Sequence, residues 1–416
     1  MILLFSGNDF MKYMKVGGKN KMKLLVAADA HVFKTPDDKY WCKSIYGYDF
    51  WRRYLEVFDE IRVVTRVKEV DSVPNNYLRV DGDCVEIHGI PFFQGPKQML
   101  MKYRSIQKNL RNAFDSCDAA LYRMPSQTAQ MTYRAQKVSI PIAGEIVFDP
   151  IDSLKNNNGF VYTVSNYIRI RYLKRFCEKA NGVSYVTQNA IQKHFPGHSR
   201  LFGESKEYFE INYSTITLRD DAFTNSREYP EQMKMMTVAL SDVSMNNDGK
   251  GEIVLLDAIK MARDNGCNVY GIFIGDGCER KNFEKYRDSI GLGEYVEFTG
   301  LLSTPEEVRS KLLQADLYVL PTIAEGLPRG VLEAMAVGLP VLSTPVGGIP
   351  EVIESSYLFQ PKDVDGFGNQ ICELYHNPSQ LTKMSKENFE VSQNFRNEVL
   401  QNRRNEFYLR LKELVR

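Results

Sequence analysis

Pro321-Thr-Ile-Ala-Glu-Gly-Leu-Pro-Arg-Gly-Val-Leu-Glu-Ala-Met-Ala336 carries the decision about the fold. It opens at the end of an apolar run, Asp316–Pro321, that reads as a buried strand. A loop with Glu325 and Gly326 follows. Pro328 suits a first helical turn, where its missing N–H is no loss, and Gly338 suits the helix end. Glu325 thus stands in a loop at the carboxyl end of a strand, and Glu333 near the start of the next helix.

The same alternation extends outward. Met236–Leu240, Asn268–Gly275, Tyr295–Thr299 and Pro340–Thr344 are apolar, β-branched runs of strand length. Between the strands, Glu252–Arg263, Arg280–Ile290, Pro305–Ala315 and Pro328–Val337 carry apolar residues at helical spacing. Repeated strand–helix units predict an α/β doubly wound domain, a parallel sheet with helices on both faces. The amino-terminal half is less regular. Lys23–Ala28, Ile61–Thr65, Ala119–Tyr122 and Val183–Val186 read as strands, and Phe50–Phe58 and Met99–Phe114 as helices. Val80-Asp-Gly-Asp-Cys84 reads as a hairpin turn with Asp-Gly as its signal. A second α/β layer is expected there, joined to the first within the turn-rich stretch 200–232. The segment from Ser385 to Arg416 reads as a long helix.

Composition narrows the function classes. A chain of 416 residues exceeds one ordinary core, so two domains are expected. Lys and Arg number 53 against 52 Asp and Glu, so no global field recruits nucleic acid. Seven cysteines, an odd count without a C-x-x-C pair, argue against a disulfide framework or a zinc site. They point to a reducing, cytoplasmic compartment. His194 and His198 stand at metal-pair spacing, but Pro196 and Gly197 break the helix such a pair would use. No apolar run approaches the roughly 20 residues of a membrane span. Residues 1–21 are expected to be a disordered extension ahead of the first strand.

Ligands of open α/β sheets bind at the carboxyl ends of the strands. Free N–H groups at a helix start there would face a diphosphate, and the helix dipole favours the anion by up to about 2 kcal/mol. A carboxylate accepts hydrogen bonds from two sugar hydroxyls, so Glu325 and Glu333 suit a polyol. Several residues have a second, structural reading. Lys250 is a phosphate ligand or a solvated loop lysine, Arg329 a phosphate ligand or a surface charge, and Asp276 a turn former before a catalytic group. Gly347-Gly348 can serve simply as a tight turn. Arg123, Ser126 and Asp149 each follow a short apolar run, and either face a cleft or anchor their loops.

The full string resembles the E-x7-E motif of family 4 glycosyltransferases, which have the GT-B fold. Ile274-Gly-Asp-Gly277 resembles that family's strand-end turn, and Val296-Glu-Phe-Thr-Gly-Leu-Leu302 its nucleotide-base loop. Gln314-Ala-Asp-Leu-Tyr-Val-Leu-Pro-Thr322 is similar to the strand before the motif. Pro345-Val-Gly-Gly-Ile-Pro-Glu-Val-Ile353 is similar to the segment after it. In the amino-terminal half, four stretches are similar to a bacterial surface-polysaccharide subgroup. They are Tyr46–Phe58, Tyr122–Ser126, Glu145–Pro150 and Val183–Thr187, with Phe148 where the subgroup usually has Gly.

The resemblance implies two Rossmann-like domains facing a cleft, with a C-terminal helix crossing back to the first. Residues 22–215 would bind the acceptor, 216–385 the nucleotide-sugar donor, and 386–416 would form the helical tail. Glu333 would hold the ribose hydroxyls and Glu325 the transferred sugar. Backbone N–H groups around Gly326, Leu327, Arg329 and Gly330 would bind phosphate or sugar. Lys250, in Asp248-Gly-Lys-Gly251, matches the lysine that neutralises the leaving diphosphate. Asp276 and Leu302 belong to the donor side, Arg123 and Ser126 to the acceptor side, and Asp149 would orient or deprotonate the acceptor hydroxyl. The family's usual Arg after the first strand of this domain is absent. Ser241 stands there, and Arg329 is the other candidate for its charge.

The implied reaction is retaining transfer of a hexose from a nucleotide-sugar, a substrate rather than a cofactor, to a saccharide or lipid-linked saccharide. Capsule or surface polysaccharide would be the product. No metal is expected. Of the two Asp-x-Asp strings, Asp81-Gly-Asp83 reads as a turn, and Asp363-Val-Asp365 lies beyond the donor motifs. Arg52, Arg53, Arg169, Arg171, Lys174 and Arg175 would attract an anionic acceptor or the inner membrane surface. Among rival classes, a nicotinamide dehydrogenase lacks its third glycine in Gly275-Asp-Gly-Cys-Glu-Arg280. A nucleotide-sugar epimerase and a non-catalytic binding subunit remain as alternatives.

Overall fold

The computed structural model describes residues 21–151, 160–243, 245, 248–302 and 304–415. The expected amino-terminal extension thus lies, but for Lys21, outside the described residues. The chain divides into two compact units, 1–120 with 135–140, and 121–134 with 141–416.

The first unit holds β1 (Lys23–Lys34), β2 (Tyr40–Cys42), α1 (Tyr48–Leu55), β3 (Glu60–Glu69), β4 (Leu78–Arg79), β5 (Val85–Pro91) and α2 (Gly95–Leu110). β3 runs parallel between β1 and β5. β2 pairs antiparallel with both β1 and β4. Leu24 to Ala28 of β1 are fully buried, as an apolar run inside a parallel sheet should be. The hairpin differs from expectation. Its tight turn lies at Asp83-Cys84, where Cys84 has φ +60° and the Val85 N–H donates to the Gly82 carbonyl at 3.0 Å. Asp81 is held ahead of the turn, accepting from the Tyr40 N–H at 2.9 Å and from Arg79.

The second unit begins with β6 (Ala119–Met124), α3 (Gln127–Ala135), β7 (Ile142–Ile146), α4 (Phe160–Lys179), β8 (Gly182–Tyr185), α5 (Ala190–His194), α6 (His198–Phe202) and β9 (Phe209–Asn212). Strands β6 to β9 lie side by side in sequence order. Pro196 and Gly197 do separate His194 from His198, which fall on different helices. A second sheet then follows through β10 (Met236–Val243), α7 (Glu252–Asp264), β11 (Val269–Gly275), α8 (Arg280–Ser289), β12 (Val296–Gly300), α9 (Pro305–Leu313), β13 (Leu317–Leu320), α10 (Arg329–Ala336) and β14 (Val341–Ser343). Its five parallel strands run in the order β12-β11-β10-β13-β14. The order reverses between β10 and β13, which makes the carboxyl ends of those two strands the switch point where such sheets open a ligand crevice.

The final helices are α11 (Val364–His376), α12 (Pro378–Ser392) and α13 (Asn397–Glu413). The single long helix read from Ser385 onward is therefore two. Arg396 is extended at ψ 143°. Its backbone bridges to Leu218, and its guanidinium reaches Asp220 at 2.8 Å and lies over the Phe223 ring. These long-range partners outweigh local helix propensity. Beyond the break, α13 packs on β8 and β9, burying Phe407, Tyr408 and Leu411.

Candidate active site

Four of the five strands of this sheet deliver a sequence-selected residue to their carboxyl ends. Ser241 lies on β10, Asp276 follows β11, Leu302 follows β12 and Glu325 follows β13. The Lys250 loop follows β10 and the Glu325 loop follows β13, so both flank the switch point.

The two loops are built against each other. The Gly249 carbonyl accepts from the Ile323 N–H at 3.3 Å and from Thr322 Oγ1 at 3.2 Å. Gly251 has φ +81°, and a Cβ there would overlap the Pro321 carbonyl, so only glycine lets the backbones approach this closely. Behind Lys250, the wholly buried Glu252 accepts from the Lys250 N–H at 3.2 Å. Burial, with the Asp248 carboxylate nearby, pushes the Glu252 carboxyl up to about 7. At the front, Lys250 Nζ pairs with Glu325 Oε1. Their side chains are 20% and 14% exposed, a partly dry cation–carboxylate pair at the mouth of the crevice.

Gly347-Gly348 does more than turn the chain. The Gly348 N–H donates to the Gly326 carbonyl at 2.5 Å, bracing the loop that carries Glu325. On its other side, Gly326 faces the backbone of Val147 and Phe148, whose nearest atoms lie 3.0 and 3.6 Å from where a Cβ would stand. Leu327 is half-buried in this loop.

Pro328 caps α10 with no side-chain hydrogen bond. Gly330, in the first turn, lies so close to β10 and β13 that a Cβ would come within 2.9 Å of Ser241 Oγ and overlap the Tyr318 hydroxyl. Ser241 is buried beneath this turn, its Oγ 3.2 Å from the Tyr318 hydroxyl. Arg329 Nε reaches Glu333 Oε1 at 2.7 Å, one helical turn on. Asp276 is exposed and accepts from the Gly277 N–H at 2.9 Å, the geometry of a turn former.

The acceptor-side residues are more enclosed. Arg123, 4% exposed, pairs with the 2% exposed Glu145. The Tyr213 and Tyr408 hydroxyls also donate to Glu145, at 2.9 and 2.8 Å. Arg123 therefore belongs to a buried hub joining β6, β7 and α13. Ser126 Oγ accepts from the Ala129 N–H at 3.1 Å and caps α3. Asp149 is buried, holding the Ile151 N–H at 2.7 Å and His194 Nδ1 at 2.5 Å. Its imidazole partner is 47% exposed. The Asp-x-Asp strings have structural duties, because Asp363 caps α11 through the Gly366 N–H at 2.9 Å.

Three features escaped the sequence reading. His194 is marked in the sequence only by a metal-pair spacing with His198 that Pro196 and Gly197 break. Glu252 was read only as a helix start. Glu351 has no role predicted from its place in Pro345–Ile353, yet its carboxylate accepts from three consecutive N–H groups, those of Gln188, Asn189 and Ala190, at 2.5 to 2.7 Å. It thereby fills the amino end of α5. The available signal was an acidic residue just after Gly-Gly-Ile-Pro; its partners, some 160 positions away, had no local trace.

Two glycine-braced loops thus meet at the switch point of a doubly wound sheet, the place where such sheets bind their ligands. Residues 239–377 match the family model described as glycosyl transferases group 1; the chain is a glycosyltransferase carrying a group 1 domain in that segment. Over 346 residues it is 25% identical to Protein CapJ of Staphylococcus aureus, covering 82% of this chain and 84% of CapJ. It is 34% identical over 196 residues to the amylovoran biosynthesis glycosyltransferase AmsK of Erwinia amylovora, covering 42% of this chain and 48% of AmsK. Among solved structures, sucrose-phosphate synthase from Thermosynechococcus elongatus superposes with TM-score 0.69 at 15% identity, covering 94% of this chain and 100% of that one. HepE of Anabaena, solved in complex with UDP and glucose, gives 0.62 at 17% identity, covering 92% and 98%. The shared fold is GT-B, as the motif string implied.

Proposed function

We propose that this chain transfers a hexose, with retention, from a nucleotide-diphosphate sugar to a saccharide or lipid-linked saccharide during assembly of a bacterial surface polysaccharide. The observation that carries the reading is the Lys250–Glu325 pair at the switch point, beside the start of α10. Lys250 would release Glu325 to meet the leaving diphosphate, and Glu325 would then take hydroxyls of the transferred sugar. The first-turn N–H groups of α10 would bind phosphate, while Glu333, held by Arg329, would take the ribose. Charge on the leaving group is thus met by lysine and helix terminus without a metal. The departing phosphate takes the acceptor proton. Asp149 with His194 orients the acceptor.

The names of the relatives support the polysaccharide setting, AmsK through amylovoran biosynthesis and WcaL of Salmonella typhimurium through colanic acid biosynthesis. The HepE complex with UDP and glucose supports a nucleotide-sugar donor. The proposal places the protein in the cytoplasm, in peripheral contact with the membrane that carries the acceptor. On α4, Arg171, Lys174 and Arg175 are exposed and suit that contact; Arg53 is buried over the Phe50 ring and does not.

A thermal-shift screen against UDP-, GDP- and ADP-sugars, followed by transfer assays with the selected donor, tests the reading. Glu325→Ala is expected to lose transfer and Glu333→Gln to weaken donor binding. Wild-type turnover in both variants overturns the site. Loss of activity with a chelator, restored by Mg²⁺ or Mn²⁺, overturns metal independence. An altered nucleotide-sugar formed from donor alone would make the protein an epimerase instead.

A further inference from the structure

Helix α2 has a core face and an unusual outer one. Ile106 and Leu110 are fully buried, and the helix packs on β5. On the outside, Lys97, Met101, Arg104, Lys108 and Arg111 follow one another at three- and four-residue spacing and so share a stripe. Leu100 flanks it. Leu100 and Met101 are 74% and 77% exposed. Single exposed apolar residues are commonplace, but two large adjacent ones set among cations are not.

The charge around them is of one sign. From Pro91 to Phe114 the sequence holds Lys97, Lys102, Arg104, Lys108 and Arg111 and no acidic residue. Among the described residues, none of Lys97, Arg104, Lys108 and Arg111 makes an ion pair. Elsewhere in the protein exposed cations commonly have carboxylate partners, as Lys34 has Asp38 and Lys260 has Asp264. This acid-free stripe stands out because the whole chain is nearly neutral.

We propose that the outer face of α2 is the surface through which the protein rests on an anionic lipid bilayer. Leu100 and Met101 enter the headgroup–acyl boundary, and the lysines and arginines lie at the level of the lipid phosphates. Charge alone would suit any polyanion. The apolar pair selects the bilayer, because nucleic acid and acidic polysaccharide offer no hydrocarbon for Leu100 and Met101 to enter. This names the surface for the membrane contact in the proposed function and rests on that reading only for its biological setting.

The test is flotation of the full-length protein with vesicles of phosphatidylcholine alone and with about one-third phosphatidylglycerol, at low and physiological salt. Wild type is expected to bind the mixed vesicles roughly tenfold better than the neutral ones. Two variants are compared, Lys97→Gln/Arg104→Gln/Lys108→Gln and Leu100→Ser/Met101→Ser. All five positions are exposed, so melting temperature and donor-induced thermal shift should match wild type. Each variant is expected to lose at least about tenfold in binding to mixed vesicles. Equal binding by wild type and both variants overturns the proposal, as does equal binding of wild type to neutral vesicles. So does full binding by Leu100→Ser/Met101→Ser, which would make the stripe a general polyanion site. Any variant whose melting temperature falls is replaced by the single Met101→Gln and Lys108→Gln changes, read in the same way. The donor shift is scored separately: its absence in wild type overturns the donor site, while vesicle binding judges α2.

Discussion

Replacing Gly347 by alanine adds one methyl group where the chain passes behind Glu325. The residue has φ +55°, a left-handed conformation that costs a residue with a Cβ about 1–2 kcal/mol. The new carbon would also overlap the Glu325 carbonyl oxygen and stand 2.6 Å from the Gly326 carbonyl oxygen and 2.8 Å from the Glu325 carbonyl carbon. All three are backbone atoms, so no rotamer change relieves them, and overpacking of this kind costs about 1–3 kcal/mol more. The expected loss is therefore about 2–5 kcal/mol. Gly291 supplies the control. It has φ +77° with nothing within 4 Å of a Cβ, so Gly291→Ala carries only the backbone cost of about 1–2 kcal/mol. Urea unfolding measures both losses, and donor-induced thermal shift and turnover measure the site. Gly347→Ala is expected to weaken the donor response, because relief of the overlap pushes the Glu325–Gly326 loop off its brace. Gly291→Ala should turn over as wild type. Equal stability of the two variants, with wild-type turnover in both, would refute the claim that Gly347 sets the position of Glu325.

Glu145→Ala leaves the buried Arg123 guanidinium without the carboxylate facing it. A loss of about 3–5 kcal/mol is expected in urea unfolding, and one below about 1 kcal/mol would show the hub to be dispensable. Glu252 gives a pH signature. Its folded carboxyl is raised to about 7, so the folded state holds a proton that the unfolded state has released, and stability falls as pH rises from about 4.5 to about 7. Glu252→Gln is neutral throughout. It should therefore lack that decline and exceed wild type at pH 8 by up to about 3 kcal/mol. Parallel stability–pH curves for variant and wild type would exclude the raised carboxyl.

The five-stranded sheet was legible because its strands are buried on both faces and read as short continuous apolar runs. Its helices carry their own signals, as at α9, where Thr304 and Glu307 form a reciprocal cap. The expected bounds fall within a few residues of those observed. What local pattern lacked was strand order. Nothing in the sequence said that β10 and β13 are neighbours, and that adjacency is what brings Lys250 to Glu325. β5 was missed because Val85–Pro91 buries only Val85 and Ile90 and includes His88 and Gly89, a weak strand signal made good by pairing with β3. Glu351 and His194 share one reason for escaping notice. Each is defined by partners distant in sequence, and an isolated charged residue looks the same whether its partner is water or the amino end of a helix. Arg123 could be read from its strand-end position either as facing a cleft or as anchoring its loop, and its burial against Glu145 agrees with the anchoring role.

Helix α13 has a consequence for the order of events during synthesis. Tyr408 donates to Glu145 across 263 residues of chain, and Phe407 closes over Phe209 on β9. At ribosomal speeds of about 5–20 residues per second, the strands wait roughly 15–50 s for the helix that covers them. Through that interval the apolar side of β8 and β9 and the Arg123–Glu145 pair stand open on the nascent chain, exposed to chaperones and to neighbouring chains alike. A stop immediately before Asn397 would spare every residue of the donor edge and still leave this side of the protein permanently uncovered.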